Sequence, residues 1–302
     1  MTRRGRPLLS LRAGEGVRQR PPRGRVHAAL ATAIGLFVAT VVSGLVLAAP
    51  AGSFAQRSGA GTIPVDVELV LAVDVSYSMD PEEQALQREG YVAAITSHEF
   101  LNALRQGMHG RIAMIYFEWA GTHHREIIVP WRLIDGPESA DAFAADIMRA
   151  RYTRASRTSI SGALEFGARL FGSSGYRGLR RVIDVSGDGV NNSGPLVTVV
   201  RDEVVAQGIT INGLPIMLKR PNPNTMDIEN LDIYFEDCVI GGPGAFVIPI
   251  KERDKFKEAI RTKLVLEIAD RTIERPVLPA AAAAPRISCT IGERLWQERW
   301  GN

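Results

Sequence analysis

Cysteine is scarce in this chain of 302 residues, which contains only Cys238 and Cys289. Two cysteines exclude any framework of more than one disulfide. In an oxidising compartment the two could pair and tie the C-terminal tail to the rest of the chain. Two unpaired thiols are the alternative, and the sequence leaves both open.

The chain also lacks the residue patterns of a zinc site and of a Walker-type phosphate-binding loop. His123 and His124 are adjacent, and adjacent side chains on an extended chain point to opposite sides. No cysteine or further histidine follows at ligand spacing, which argues against a zinc site. The glycine-rich stretch 241–244 contains Pro243, which removes a donor, and no lysine follows in the Walker pattern. A turn explains that stretch.

Acidic residues are nearly absent from the first 27 residues, which hold eight arginines and one acid, Glu15, for a net charge of +7. The whole chain carries +3 and residues 28–55 carry no charge, so the residues after Ala55 sum to −4. The sequence pI of about 9.0 therefore reflects the leader. Because a net negative domain repels nucleic acid, we expect no nucleic-acid partner.

Charge is missing altogether from residues 28–55, an apolar run that ends in small residues. An Arg-rich segment, an apolar run and a small-residue tail form the three-part pattern of a secretory signal. Residues 28–49 are also long enough to span a bilayer, so membrane attachment is the alternative. In both cases the positive flank predicts that the following domain lies outside the cytoplasm, periplasmic, secreted or anchored in the inner membrane. We therefore assign 1–55 to a leader with a signal peptide or anchor, and 56–64 to a linker.

Strands alternate with helices from residue 65 to residue 269. Residues 67–75 (VELVLAVDV) form a β-branched apolar run typical of a strand buried on both faces of a parallel sheet. Strands 111–119 and 126–133 have a short link, which favours an antiparallel pair. Further strands are predicted at 181–185, 208–216 and 245–250, and helices at 80–105 with a break near Ser97, 139–151 capped by Ser139, 159–171, 195–207, 230–239 and 254–268. This order predicts an α/β fold with a doubly wound, mainly parallel sheet, one antiparallel edge strand and helices on both faces.

The pattern stops after residue 269. Residues 276–285 are rich in proline and alanine, a composition typical of a spacer. Trp296 and Trp300 are four residues apart and would share one face of a short helix. We expect residues 270–302 to be a linker and a tail that docks on its own domain, with a partner-binding peptide as the alternative.

Oxygen-bearing side chains follow the first predicted strand at Asp74, Ser76 and Ser78. A lone carboxylate at the end of a buried apolar run is costly unless a cation or hydrogen bonds compensate it. Alternation places the three side chains on a common side as the chain leaves the strand. One carboxylate and two hydroxyls are hard ligands that suit Mg²⁺ or Mn²⁺.

Two further segments are predicted at the same edge of the sheet. Asp188 follows strand 181–185 in a Ser-Gly-Asp-Gly turn, whose glycines allow a close backbone approach. Thr158 stands just ahead of helix 159–171, where a helix cap is the alternative role. Because ligands of open parallel sheets bind at the carboxyl ends of the strands, these segments are candidates for one site.

These residues carry a family resemblance. Asp-x-Ser-x-Ser at 74–78, Thr158 before a helix and Asp188 in a strand-end Asp-Gly resemble the metal-ion-dependent adhesion site of von Willebrand factor type A domains. The resemblance covers about 65–269. The phrases VIDVSGDGVNN and YFEDCVIGGPGAFV are similar to a bacterial, exported type-A-like family of uncharacterised function. Ser186 and Gly187 depart from the pattern, since many type A domains have a hydrophobic residue and threonine there.

The resemblance implies that Ser76, Ser78 and Thr158 bind the cation directly or through water. It implies that Asp74 and Asp188 hold the cation directly or through those ligands. One coordination position is left to water, which the Asp or Glu carboxylate of a partner protein replaces; Mg²⁺ retains and exchanges such waters. The implied function is an exported, non-enzymatic, metal-dependent adhesion or scaffold module.

Three neighbouring residues are candidates for a rim that contacts the partner. Tyr77 lies inside the first motif, and Asn191 and Asn192 follow Asp188 directly. An ordinary turn is the alternative role for the two asparagines.

A metal-dependent phosphohydrolase with Asp74 as nucleophile and Asp188 holding Mg²⁺ is the alternative function. The haloacid-dehalogenase-like phosphatases have a second aspartate two residues after the nucleophile, where this chain has Ser76. No general acid or phosphate-binding lysine is evident at a matching strand end. A binding module is therefore favoured. A purely structural domain ranks third, because all five ligand positions are filled.

Overall fold

A five-stranded sheet organises the computed structural model, which describes residues 62–219, 226–269 and 284–301. The strand order is β3-β2-β1-β4-β5, in which β1 pairs in parallel with β2 and β4, β4 pairs in parallel with β5, and β3 is antiparallel to β2. The strands are β1 (Ile63–Asp74), β2 (Ile112–Trp119), β3 (Arg125–Ile134), β4 (Tyr176–Gly187) and β5 (Ile209–Pro215). The prediction of a mainly parallel sheet with one antiparallel edge strand is confirmed.

Helices cover both faces of this sheet, as predicted. In the described part of the chain they are α1 (Pro81–Ile95), α2 (His98–Gln106), α3 (Pro137–Arg149), α4 (Ile160–Leu170), α5 (Val197–Ala206), α6 (Leu231–Tyr234), α7 (Phe256–Ile268) and α8 (Ile291–Trp300). Alternate residues of β1 divide between two cores: Leu69 and Leu71 pack with α1, α2, α3 and α7, and Val70 and Ala72 pack with α4, α5 and α6. A strand buried on both faces explains the continuous apolar run.

α1 begins at Pro81, one residue after the predicted start of this helix at 80. The carboxylate of Asp80 accepts a hydrogen bond from the backbone N–H of Glu83 at 2.8 Å, and the Glu83 carboxylate accepts one from the N–H of Asp80 at 2.9 Å. This reciprocal pair, with Pro81 in the first turn, satisfies N–H groups that the helix leaves without partners. The predicted break near Ser97 is also confirmed, since Ser97 caps α2.

Several predicted boundaries differ from the structure, and the largest difference is that β4 begins at Tyr176 rather than at 181. β1 begins at Ile63, inside the predicted linker, because its first residues pair with β4 from Tyr176 onward. α3 begins at Pro137 rather than at Ser139, and Gly136 is its cap residue. The Ser139 hydroxyl instead accepts a hydrogen bond from the N–H of Gly136 at 3.1 Å, from inside the first turn.

The predicted strand 245–250 is wrong. This segment runs beside β5 and forms only isolated bridges, Gly213 with Val247 and Ile216 with Ile250. The N–H groups of Ile248 and Ile250 donate to the carbonyls of Gly213 and Pro215, at 3.0 and 2.9 Å, but Pro215 has no N–H with which β5 could donate back to Ile248. A proline in this position explains why an apolar run fails to become a sixth strand.

The C-terminal tail docks on the domain, as expected. Cys289 is disulfide-bonded to Cys238, in the π-helical segment Phe235–Val239 that continues α6. Trp296 and Trp300 share one face of α8, with ring centroids 4.3 Å apart. The predicted leader and apolar run and the Pro/Ala-rich stretch up to residue 283 lie outside the described residues. Within the described ranges, no helix has the length and apolar character needed to cross a membrane.

Candidate metal centre

The carboxyl end of β1 makes a tight turn with three oxygen-bearing side chains. Asp74 is the last residue of β1, and its Oδ1 accepts a hydrogen bond from the N–H of Ser76 at 2.7 Å. The Oγ atoms of Ser76 and Ser78 are 2.7 Å apart. Ser78 Oγ donates to Oδ1 of Asp188 at 2.5 Å. The hydroxyl of Ser78 therefore joins the end of β1 to the residue that follows β4.

The loop before α4 reaches this turn through its backbone. The N–H of Ala155 donates to the carbonyl of Val75 at 3.2 Å, and the N–H of Tyr77 donates to the carbonyl of Ala155 at 2.9 Å. Residues 74–78 and the loop that leads to Thr158 thus form a short two-stranded contact.

Thr158 is also bound to the segment after Asp188. Its N–H donates to Oδ1 of Asn192 and its carbonyl accepts from the N–H of Asn192, both at 2.9 Å. A Cβ atom added at Gly189 would lie 3.5 Å from Thr158 Oγ1, so the hydroxyl faces the residue next to Asp188. Ser159 is the cap residue of α4 and accepts from the N–H of Gly162 at 3.3 Å. The cap role considered for Thr158 is therefore wrong.

Gly187, the departure from the type A pattern, lies where two strand ends approach closely. A Cβ atom added there would be 3.0 Å from Oδ2 of Asp74, closer than an ordinary van der Waals contact. Glycine therefore leaves room for the Asp74 carboxylate at this position.

Both carboxylates of the cluster are deeply buried. Asp74 has no exposed surface and Asp188 is 8% exposed. Burial, and then the charge of Asp188, raise the pKa of Asp74 well above its ordinary value. Burial raises the pKa of Asp188 to about 7, although the Ser78 hydrogen bond and the charge of Lys219 lower it. Each carboxylate costs free energy when it is ionised here without a cation.

The donor set fits a hard cation better than a soft one. Oδ2 of Asp74 and Oδ2 of Asp188 are buried and have no hydrogen-bond partner. Over the described ranges, no three His, Cys, Asp or Glu side chains cluster in a way that could hold a metal. The centre combines two carboxylates with the hydroxyls of Ser76, Ser78 and Thr158, a set that suits Mg²⁺ or Mn²⁺ with bound water.

Lys219 lies beside the centre and was missed by the sequence analysis. Its Nζ contacts the Glu83 carboxylate, donates to the carbonyl of Ser78, and lies 3.6 Å from Oδ2 of Asp188. Burial alone would lower the pKa of Lys219, but the Glu83 hydrogen bond and the charge of Asp188 raise it. Lys219 follows β5 by a few residues, so a search of every strand end would have found it.

Replacing Lys219 with glutamine should tighten divalent-cation binding. The ammonium group repels a second cation near Asp188, and the side chain is 35% exposed, so solvent screens the repulsion. We expect an affinity gain of about 1 kcal/mol or less, a roughly threefold to fivefold change. Titration calorimetry with Mn²⁺ measures it, and Lys257→Gln, at an exposed site on α7, is the matched control. Weaker binding in the Lys219 variant would show that the lysine orders the centre.

A buried ion pair holds the start of the loop that carries Thr158. Arg88 donates to both carboxylate oxygens of Glu118, at 2.8 and 3.0 Å. It also donates to the carbonyls of Ala150 and Arg151, at 2.6 and 2.8 Å. Sequence reasoning missed this pair, because the partners lie on α1 and β2 and nothing local joins them.

The predicted rim residues behave differently from one another. Tyr77 is 61% exposed, and Asn192 lines a cleft beside the centre. Asn191 is fully buried: its Oδ1 accepts from the N–H of Ser161 at 3.0 Å, and its Nδ2 donates to Glu293 at 2.8 Å. The prediction that Asn191 lines the rim is therefore wrong, because its amide links α4 to α8.

Comparison with known proteins places the domain in a fold and a family. A family model described as "Protein of unknown function (DUF1194)" matches residues 64–272. A comparison with curated proteins found no match. Proximal thread matrix protein 1 from the mussel byssus gives a TM-score of 0.51 at 13% identity, over 68% of this chain and 49% of that chain.

Two further structures have lower scores. A structure of the same mussel protein, described as having a zinc occupied MIDAS motif, gives 0.48 at 14% identity, over 68% of this chain and 48% of that chain. A von Willebrand factor type A structure from Catenulispora acidiphila gives 0.46 at 13% identity, over 68% and 43%. The matched region spans about half of the mussel protein. The resemblance to von Willebrand A domains is confirmed at the level of the fold.

Proposed function

The chain belongs to the family described as "Protein of unknown function (DUF1194)", and from the geometry of its strand-end residues we propose that the domain is a metal-dependent protein-binding module. Asp74, Ser76, Ser78, Thr158 and Asp188 would hold Mg²⁺ or Mn²⁺. The cation would supply a coordination position for an Asp or Glu carboxylate of a partner protein. No catalytic residue is needed for this role.

One observation carries the proposal. Asp74 and Asp188 come from different strands, are both buried, and each has an oxygen without a hydrogen-bond partner. Two buried carboxylates are costly even though Lys219 partly offsets the charge of Asp188, and folded proteins keep such groups where a cation or a function requires them. The hydroxyl of Ser78 links the two strand ends, which keeps the oxygen ligands together.

The phosphohydrolase alternative is supported less well. Lys219 beside Asp188 is a cation that such an enzyme would use, which favours that alternative. However, Asp74 has no exposed surface, and its Oδ1 accepts from the N–H of Ser76. A nucleophile has to reach the phosphorus atom of its substrate, and Asp74 is closed off from an incoming group. We therefore propose a non-enzymatic role.

The same proposal includes export and domain division. Residues 1–55 would direct the domain to the periplasm or the exterior, as a cleaved signal or as an anchor through residues 28–49. Residues 65–269 would form the binding domain, and residues 270–302 the linker and tail. A disulfide between Cys238 and Cys289 is compatible with an oxidising compartment.

Thermal melting with added cation tests the metal site. We expect Mg²⁺ or Mn²⁺ to raise the melting temperature, and a chelator to reverse the rise, because a ligand that binds only the folded state stabilises it. An unchanged melting temperature at saturating cation would refute the metal site. In parallel, metal-dependent turnover of a chromogenic phosphate ester would favour the enzyme over the binding module.

A further inference from the structure

A cleft of about 570 Å³ opens beside the candidate metal centre. Ser76, Ser78 and Thr158 of the centre line one part of it, and Trp296 and Trp300 of α8 line another. The family match ends at residue 272, so α8 lies outside the matched domain. One side of the cleft is therefore formed by the candidate metal centre, and the opposite wall is formed by α8, which the family model does not cover.

The tryptophan wall is ordered by stacking. The guanidinium of Arg157 lies 3.9 Å from the centre of the Trp296 ring, and the Trp296 and Trp300 rings are 4.3 Å apart. Arg157 has a φ of 70°, a left-handed conformation that costs free energy for a residue with a side chain. The guanidinium of Arg299 also lies 5.3 Å from the centre of the Trp300 ring, but Trp300 remains 52% exposed, so part of this side chain is available to a ligand.

The helix that carries the wall is held close to the metal centre. Its backbone packs directly on the turn after Asp188, since a Cβ atom added at Gly292 would be 1.9 Å from the carbonyl oxygen of Asn191. The carboxylate of Glu293 accepts from Asn191, and the Cys238–Cys289 disulfide precedes the helix. These contacts fix α8 beside the candidate metal centre. One ligand can therefore contact both the centre and the two tryptophans.

The charge of the cleft differs from that of the domain. Arg157, Lys219 and Arg299 line it, with Asp227 as the acidic residue among its lining side chains. Lys219 is paired with Glu83, so the two arginines carry the positive charge. The chain after Ala55 carries a net charge of −4. A locally positive cleft on a negative domain favours an acidic ligand.

We propose that this cleft binds a protein segment in which a metal-binding Asp or Glu is accompanied, within a few residues, by an aromatic side chain. The carboxylate reaches the centre at Ser76, Ser78 and Thr158, and the aromatic ring packs on Trp300. Offset or edge-on contacts between aromatic rings add to the area that they bury. This inference rests on the proposed metal-dependent binding and names the partner's chemistry.

Immobilised peptides test the inference with the full-length, disulfide-bonded protein in Mg²⁺. Four capped peptides share a background of glycine and serine. The first carries an aspartate and a nearby phenylalanine, the second carries only the aspartate, the third carries the phenylalanine with asparagine in place of the aspartate, and the fourth carries none of these residues. Surface plasmon resonance should show binding of both aspartate peptides that a chelator abolishes. We expect the aspartate–phenylalanine peptide to bind at least about fivefold more tightly, as for a ring that contributes more than 1 kcal/mol.

Trp300→Ala should remove the tighter binding of the aspartate–phenylalanine peptide and leave the affinity for the aspartate-only peptide unchanged. Gln297→Ala, exposed on the same helix and outside the cleft lining, is the control and should retain the advantage. Three results would overturn this inference and leave the proposed metal-dependent function standing. They are equal affinities for the two aspartate peptides, a gain from phenylalanine that survives Trp300→Ala, and no peptide binding by a protein whose melting temperature rises with Mg²⁺. A melting temperature that does not respond to cation would remove the proposed function as well.

Discussion

Replacing Asp74 with asparagine should abolish the stabilisation that Mg²⁺ or Mn²⁺ gives to the wild-type protein. At a cation concentration one hundred times the dissociation constant, the wild type gains about 2.7 kcal/mol, and the variant should gain nothing measurable. Asparagine keeps an oxygen that can accept from the N–H of Ser76, so the turn is retained. The negative charge, which the cation requires, is lost.

The same substitution should have the opposite effect when the cation is removed. Burial raises the pKa of Asp74, so near pH 7 the folded state either ionises it at a cost or takes up a proton. Without cation, Asp74→Asn should therefore be at least as stable as the wild type. Urea unfolding with and without chelator measures both effects. Asp141→Asn, an exposed aspartate on α3, should change neither, and a cation response that persists in Asp74→Asn would contradict the assignment.

Replacing Lys263 with methionine should cause the largest loss of stability, about 3 to 5 kcal/mol. Lys263 lies on α7 with no exposed surface, and its Nζ is 2.5 Å from both Asp184 and Glu267. Asn212 donates to Glu267 at 3.0 Å and cannot replace the charge. Without the ammonium group, two buried carboxylates face each other uncompensated. Chemical denaturation measures the loss, and Lys257→Met, an exposed lysine on the same helix, should lose little.

The loss in Lys263→Met should grow with pH. Burial and the charge of Asp184 raise the pKa of Glu267 from 4.5 to about 7, even with Lys263 present. Between those pKa values the folded state binds more protons than the unfolded state, so this group's contribution to stability falls as pH rises. Removing Lys263 raises the pKa of folded Glu267 further. The destabilisation should therefore be larger at pH 8 than at pH 5, and an equal loss at both would show that the carboxylates do not titrate as this cluster requires.

Much of the fold was predictable because its signals are local. The apolar run of β1 reflects burial on both faces, and the Asp80–Glu83 capping pair and Ser97 mark helix starts through side chains that contact their own backbone. The run 245–250 misled the prediction, because Pro215 on the neighbouring strand β5 lacks an N–H and interrupts the regular pairing there. Such an effect depends on which neighbour the segment meets.

The meeting of the two strand ends was also predictable, since Asp74, Ser76 and Ser78 are neighbours in sequence and Asp188 follows a recognisable strand. The contacts around these residues were harder to predict. The sequence leaves open whether Thr158 caps α4, and only the structure shows that Ser159 is the cap residue. Asn191 looks like a surface turn residue in the sequence, yet its amide is buried between α4 and α8.

The sequence by itself determined the alternation of strands and helices, the basic leader with its apolar run, and the five oxygen-bearing residues, because each depends on side chains within a few positions of one another. The tertiary structure alone decided that Lys219 lies beside Asp188, that Lys263 lies between two buried carboxylates, and that α8 forms a wall of the cleft next to the candidate metal centre. Burial and charge pairing between distant segments arise only when the chain packs, so no local pattern records them.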